Sequence, residues 1–262
     1  MNRIKGILRK IPYIKRLKTQ VQVIFFRQNS PARDYEQLTG LMTVLPHKVA
    51  LQANAYLPKS KAQLLQDIFV LSEMDFKRTG FFVEIGAADG INLSNSYLLE
   101  QEFGWTGILS EPARIWHKKL KINRPNAQVN FRCLWSRSNE LITFNETQDP
   151  VYSTIDSLSS LDNHRFSRKY GKKYEVSSIS LNDLLEDHDA PRHIDYLSID
   201  TEGSEYEILK SVDFEKYTFS VITCEHNFAP QRELIYELLT SHGYRRLYEE
   251  VSEFDDWYVL KN

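Results

Sequence analysis

The sequence predicts an α/β protein built on one doubly wound, mostly parallel sheet with an antiparallel pair at its C-terminal edge. Three observations lead there. From residue 81 on, short apolar runs alternate with amphipathic spans, the pattern of βαβ units. The first run breaks into a glycine-bearing loop, FFVEIGAADG. The last two runs, YRRLYEE and DDWYVL, stand close enough to pair as a hairpin.

In order, SPARDYEQLTG and PHKVALQANAYLPKS read as loops with short helices, and SKAQLLQDIFVLSEMDF (60–76) as a helix begun at Ser60. Strands are expected at FFVEIG (81–86), GILSE (107–111), VNFRCLW (129–135), IDYLSID (194–200) and FSVITCE (219–225). A helix over PQRELIYELLTSHG precedes the terminal hairpin. VYSTIDSLSSLDNHRF (151–166), rich in Ser and Asp, reads either as a mobile lid or acceptor loop, or as a plain surface insertion. The chain divides into an arm (1–33), a helical extension (34–79) and a catalytic-type domain (80–262).

Composition narrows the function classes. With 42% hydrophobic and 26% charged residues, 262 residues suffice for one large core, and no run reaches the length of a membrane-spanning helix. Cys133 and Cys224 lie inside apolar runs without metal-ligand spacing, which predicts a reduced, cytoplasmic chain. The net charge of −2 hides an asymmetry: residues 1–33 hold nine basic and no acidic residues, leaving 24 basic against 35 acidic in the body. Ile4, Ile7, Leu8, Ile11 and Ile14 recur at helical spacing in that arm. Such a segment either lies peripherally in the headgroups of an anionic membrane, or packs on the acidic body, or docks a partner. The acidic body contains no recognisable nucleic-acid module, so nucleic acid is not an expected partner. No feature specifies an oligomeric state.

The candidate site follows from the strand ends, because an open α/β sheet binds ligands beyond the carboxyl ends of its strands. Glu84 sits near the end of the first strand, where it is expected to reach the crevice and meet a cationic ligand group. Gly86 and Gly90 then turn the chain toward a helix beginning near Asn92 or Ser94. The spacing E-x-G-x-x-x-G is neither a dinucleotide fingerprint nor a Walker loop. Glu111, closing the second strand, is placed to accept two hydrogen bonds from ribose hydroxyls, or else is a solvated acid before Pro112. Two acids with glycines between them fit a nucleoside that also carries an amine, as S-adenosylmethionine does. IDYLSIDTEGSEYEIL brings Asp195 to the start of the fourth strand and Asp200 to its carboxyl end, with Glu202 and Glu205 next, and ITCEHN adds Glu225, His226 and Asn227 at the same rim. Asp200 or His226 would serve as general base; alternatively Asp200, Glu202 and Glu225 would hold Mg²⁺, which prefers all-oxygen sites. Gln66 and Asp67 are expected on the acceptor side or on a solvated helix face.

Several long segments in order, SKAQLLQDIFVL, FFVEIGAADGINLSNSYLLEQEFGWTGILSEPARIWHKKL, IDYLSIDTEGSEYEILKSVDF and ITCEHN, resemble the FkbM-type S-adenosylmethionine-dependent methyltransferases. The resemblance runs from about Leu57 to the C-terminus and omits the arm. It implies a Rossmann-like class I methyltransferase fold acting on a hydroxyl, often of a sugar, glycan or polyketide. By position, Glu84, Gly86 and Gly90 match the cofactor loop, to which Ala87, Asp89 and Asn95 also belong. Glu111 matches the ribose acid, and Asp200 with Glu202 the acid pair; Ala87 and Ala88 depart from the asparagine or threonine common there. Two other readings stay open: an NAD-linked epimerase, which would need the absent dinucleotide glycines, and a non-catalytic scaffold at the membrane surface.

Overall fold

The computed structural model describes residues 40–160 and 164–261. The basic arm expected over residues 1–33 lies outside the described residues. Among the described residues no helix is long and apolar enough to cross a membrane.

Helices α1 (His47–Ala53) and α2 (Gln66–Glu73) precede the first strand. The central sheet contains β1 (Phe81–Ile85), β2 (Thr106–Ser110), β3 (Gln128–Asn130), β8 (His193–Ile199), β9 (Thr218–Glu225), β10 (Tyr244–Leu247) and β11 (Asp255–Leu260). Its order is β10-β11-β9-β8-β1-β2-β3; the five strands from β9 to β3 run parallel, and β11 pairs antiparallel with both β9 and β10. Between β3 and β8 the chain forms β4 (Cys133–Leu134), β5 (Leu141–Glu146), β6 (Thr154–Ile155) and β7 (Lys172–Ile179), a second sheet of order β4-β7-β5-β6. Helices α3 (Tyr97–Phe103), α4 (His117–Asn123), α5 (Arg165–Arg168), α6 (Leu181–Asp187), α7 (Glu205–Leu209) and α8 (Gln231–Ser241) complete the fold.

Strand alternation divides the core. Val83, Ile85, Leu197 and Ile199 face α6, α7 and α8, through residues such as Leu184, Ile208 and Leu239. Phe82, Leu109, Tyr196, Val221 and Trp257 face the other way, against Ile68 and Phe69 of α2 and Leu98 and Phe103 of α3. The N-terminal extension thus shares the sheet's own core, with Leu41, Leu45 and Ala53 buried there.

Three local expectations are corrected. The helix expected from Ser60 begins only at Gln66, because Leu65 takes a left-handed φ of 63° and Ser60 instead donates its hydroxyl to Asp67 Oδ1 at 2.7 Å. The run VNFRCLW is two strands: Asn130 Nδ2 donates to Ser110 Oγ (2.9 Å) and to the Arg132 carbonyl (3.1 Å), and the chain leaves the central sheet so that Cys133 and Leu134 pair with Ser178 and Ile179. The helix after the glycine loop starts at Tyr97 rather than near Asn92 or Ser94, since residues 94–96 are used to satisfy the Glu84 carboxylate. Within the 151–166 segment, Thr154 and Ile155 form β6 against β5.

The order reverses between β1, β2 and β8, the switch point at which α/β sheets bind ligands. There the Asp200 N–H donates to the Ile85 carbonyl at 3.0 Å, and Gly86 has φ +89°. A Cβ at Gly86 would lie 1.8 Å from the Asp200 carbonyl oxygen, so only glycine allows the two strand ends to meet.

Candidate functional site

A cavity opens at this switch point, beneath the second sheet. Gly86, Ala87 and Ala88 form one wall, and Asp200, Thr201 and Glu202 another. Glu111 lies between the glycine loop and an apolar recess walled by Trp116, Leu134, Phe144 and Ile155. The recess comes largely from the second sheet, whose inner residues Phe144, Ile155 and Val176 cluster with Ala113 and Cys133.

Glu111 is 6% exposed. Its Oε2 accepts the Ala88 N–H at 2.8 Å and its Oε1 the Ala113 N–H at 2.7 Å. Each oxygen keeps a further lone pair for a diol. Burial pushes its carboxyl up to about 7, against the two N–H bonds that favour the charged form.

Glu84 does not reach the crevice as expected. Sharing the parity of Phe82, it points to the α3 face, where Oε1 accepts the Asn95 N–H (2.7 Å) and Oε2 accepts the hydroxyls of Ser94 (2.9 Å) and Ser96. Arg124, fully buried, stands 3.9 Å from Glu84 and bonds Glu100 Oε2 (2.7 Å), the Gly90 carbonyl (3.0 Å) and Ser96 Oγ (3.0 Å). Asp89 accepts the N–H groups of Ile91 (3.0 Å) and Asn92 (2.9 Å), and Asn95 Nδ2 donates to Ser198 Oγ at 2.9 Å. Gly90, at φ +80°, leaves room for Arg124. Glu84, Asp89, Gly90 and Asn95 therefore build the loop, whereas Gly86, Ala87, Glu111 and Asp200 line the cavity.

Carboxylate oxygens of Asp200, Glu202 and Glu225 lie within 4.8 Å of one another. Burial raises both members of the Asp200–Glu225 pair, Asp200 to about 6 and Glu225 well above the ordinary range, and the Asp200 charge raises Glu225 further. The interaction between the two carboxyls favours the charged form of Asp200 and the protonated form of Glu225. Glu202, at φ 62°, is occupied differently: its Oε2 accepts Arg168 Nη2 at 2.6 Å and Asn227 Nδ2 at 3.2 Å, and its carbonyl accepts Thr154 Oγ1 at 2.9 Å.

His226 is not brought to the cavity. Its Nδ1 accepts the Phe228 N–H at 3.0 Å, and burial lowers its pKa to about 4, so the neutral ring carries its proton on Nε2, 3.8 Å from Asp256 Oδ1. No lone pair is left to take a proton from an acceptor. Gln66 and Asp67 are also internal: Gln66 Nε2 donates to Asp255 Oδ2 at 3.1 Å, and Asp67 is fully buried.

The buried acids set a pH dependence. Glu225 and Asp255 are raised well above their ordinary values, and Glu111 to about 7. Above pH 6.5 the folded chain keeps protons that unfolded carboxyls have lost, so stability present at low pH falls as pH rises, by about 1.4 kcal/mol per pH unit for each retained proton. The depressed His226 acts oppositely, but only below about pH 6.5. The melting temperature of the ligand-free protein is expected to fall from pH 6.5 to 8.5; a flat or rising curve by calorimetry refutes the assignment of these protons.

The residues missed by sequence reasoning are Trp116, Leu134, Phe144 and Ile155 of the recess, and the buried Arg124 and Arg168. None carries a local signal, since each acts only through the second sheet or a distant loop. None of the curated proteins matches the chain in sequence. Among solved structures, methyltransferase FkbM from Methylobacillus flagellatus KT is similar at 11% identity and a TM-score of 0.43, covering 87% of this chain and 59% of that one. Precorrin-6y C5,15-methyltransferase from Geobacter metallireducens GS-15 is similar at 13% identity and a TM-score of 0.40, covering 69% of this chain and 72% of that one. The sequence profile of the methyltransferase FkbM domain matches residues 84–246, from the Glu84 loop through both acid-bearing strand ends to β10. The chain belongs to the FkbM methyltransferase family and is an S-adenosylmethionine-dependent methyltransferase.

Proposed function

We propose that the enzyme methylates a hydroxyl oxygen of a sugar or glycan, with Asp200 as general base. One observation carries the reading: Asp200 lines the cavity at the end of β8, with its carboxylate grouped with those of Glu202 and Glu225. An alcohol is a poor nucleophile until a base removes its proton, and a carboxylate poised near 6 takes that proton at neutral pH. The residues present fit S-adenosylmethionine: Glu111 has lone pairs for the ribose diol, the Trp116–Phe144 recess suits a planar base, and the acid cluster suits positive charge. When bound, the cofactor supplies an electrophilic methyl carbon on a sulfonium. Asp200 then orients the acceptor O–H and holds its proton on a carboxylate oxygen, while the second sheet excludes water.

Tritiated S-adenosylmethionine offered with saccharides, peptides and nucleosides tests the acceptor class. Label in alkali-stable methyl ethers of a saccharide is expected; label on amines alone overturns the reading. Glu111→Ala removes the ribose acceptor and is expected to weaken cofactor binding by about 1.5–3 kcal/mol, read by calorimetry. Unchanged affinity would remove Glu111 from the cofactor site.

A second reading, Mg²⁺ on Asp200, Glu202 and Glu225, is favoured by their 4.8 Å grouping. Against it, Arg168 already pairs with Glu202 at 2.6 Å. Turnover abolished by chelator and restored by Mg²⁺ would establish the metal; chelator-insensitive turnover leaves the base.

A further inference from the structure

The segment RFSRKYGKK, residues 165–173, holds five basic residues and no acidic one. It forms α5 and the start of β7, next to the sheet whose residues Phe144 and Ile155 line the cavity. Two of the basic residues are used internally: Arg168 is buried against Glu202, and Lys173 pairs with Asp156 at 2.8 Å. Arg165, Lys169 and Lys172 are exposed and form no ion pair among the described residues. Phe166 and Tyr170 stand among them, 73% and 75% exposed, the two most exposed aromatic side chains described.

We propose that this face docks on an anionic lipid surface, with the tips of Phe166 and Tyr170 entering the headgroup region and Arg165, Lys169 and Lys172 meeting lipid phosphates. The cations lie over the rings: the Arg165 guanidinium is 5.0 Å from the centre of Phe166, and the Lys169 ammonium is 5.3 Å from that of Tyr170. One face of each ring carries a cation, and both rings are largely exposed. An apolar tip beside a cation matches the interface of an anionic bilayer, where rings leave water and ammonium groups meet phosphate. The net charge of the body is of the opposite sign, so the attraction is local to this face. The face lies within residues 165–173 and stands independently of the acceptor reading.

The full-length chain carrying Phe166→Trp tests it. Vesicles of phosphatidylglycerol with brominated acyl chains are expected to quench the introduced indole. Unbrominated vesicles and phosphatidylcholine are not, and 0.5 M salt should abolish the effect. Wild type, measured in parallel, subtracts the four native tryptophans. Adding Arg165→Glu and Lys169→Glu should weaken vesicle binding by about tenfold or more at low salt and remove the quenching. An unchanged melting temperature and unchanged S-adenosylmethionine affinity show that the fold survives. A chain that sediments with vesicles while the introduced indole is not quenched would assign contact to the arm alone and overturn the proposal. So would a sulfated oligosaccharide that binds this face when the vesicles do not.

Discussion

Asp200→Asn is expected to cut methyl transfer by about two to four orders of magnitude, the range for losing a positioned general base, while cofactor affinity stays within about twofold. The asymmetry follows from the geometry. Asn keeps the size of the side chain and can still bond Glu225, so the cavity wall and the Gly86 turn beside it are retained. What disappears is the basic oxygen. The wild-type rate should rise with pH through about 6, as the Asp200 carboxyl ionises, and the variant should lack that limb. Glu225→Gln, which still donates to Asp200, should cost less than Asp200→Asn. If the metal reading held instead, Asp200→Asn and Glu225→Gln would be comparably damaging and both would respond to chelator. An Asp200→Asn enzyme working at the wild-type rate on its true acceptor would leave Asp200 as a structural acid at the strand end.

The elements best legible in the sequence were those whose pattern is local. The parallel strands at FFVEIG, GILSE, IDYLSID and FSVITCE lie within one residue of their expected positions, and the terminal hairpin pairs as expected, because each is an apolar run bounded by turn residues. The second sheet was not legible. Its strand β7 alternates exposed and buried residues only over Tyr174–Ser178, its neighbour β5 shows no regular alternation, and β4 and the edge strand β6 are two residues each, too short to show a period. Polar side chains posed the harder problem. That Glu84 would sit at the end of β1 follows from the sequence; that Ser94, Asn95 and Ser96 would fold back to consume its oxygens does not, because this depends on the path of the loop around Arg124. His226 illustrates the same point, since its position beside the acids at the end of β9 suggests a base and only the Phe228 N–H on Nδ1 reveals that its lone pair is taken.

Arg168→Met is expected to destabilise the fold by about 3–5 kcal/mol, the cost of breaking a buried ion pair by removing one partner. The Arg168 side chain is 0% exposed and that of Glu202 7%, so solvent does not replace the lost guanidinium. Asn227 would then still face a Glu202 carboxylate grouped with Asp200 and Glu225. For a chain of this size the melting temperature should drop by roughly 10 °C. Arg168→Lys should rescue only part of this, because the guanidinium donates Nε to the Tyr152 carbonyl at 2.9 Å as well as Nη2 to Glu202, and an ammonium cannot span both. Adding Glu202→Gln to Arg168→Met removes the stranded charge and should recover much of the loss, whereas a purely steric defect would not respond. The pair also ties the roof to the strand end, since the Tyr152 carbonyl and Thr154 Oγ1 converge on the same Arg168–Glu202 unit. In Arg168→Met that remains folded, the loosened roof should raise the KM for S-adenosylmethionine more than it lowers kcat, because Asp200 is anchored separately, through its own N–H to Ile85. A variant within about 1 kcal/mol of wild type would show that Glu202 does not depend on Arg168 for its charge, and the roof would then have to be held by the apolar contacts of Phe144 and Ile155 alone.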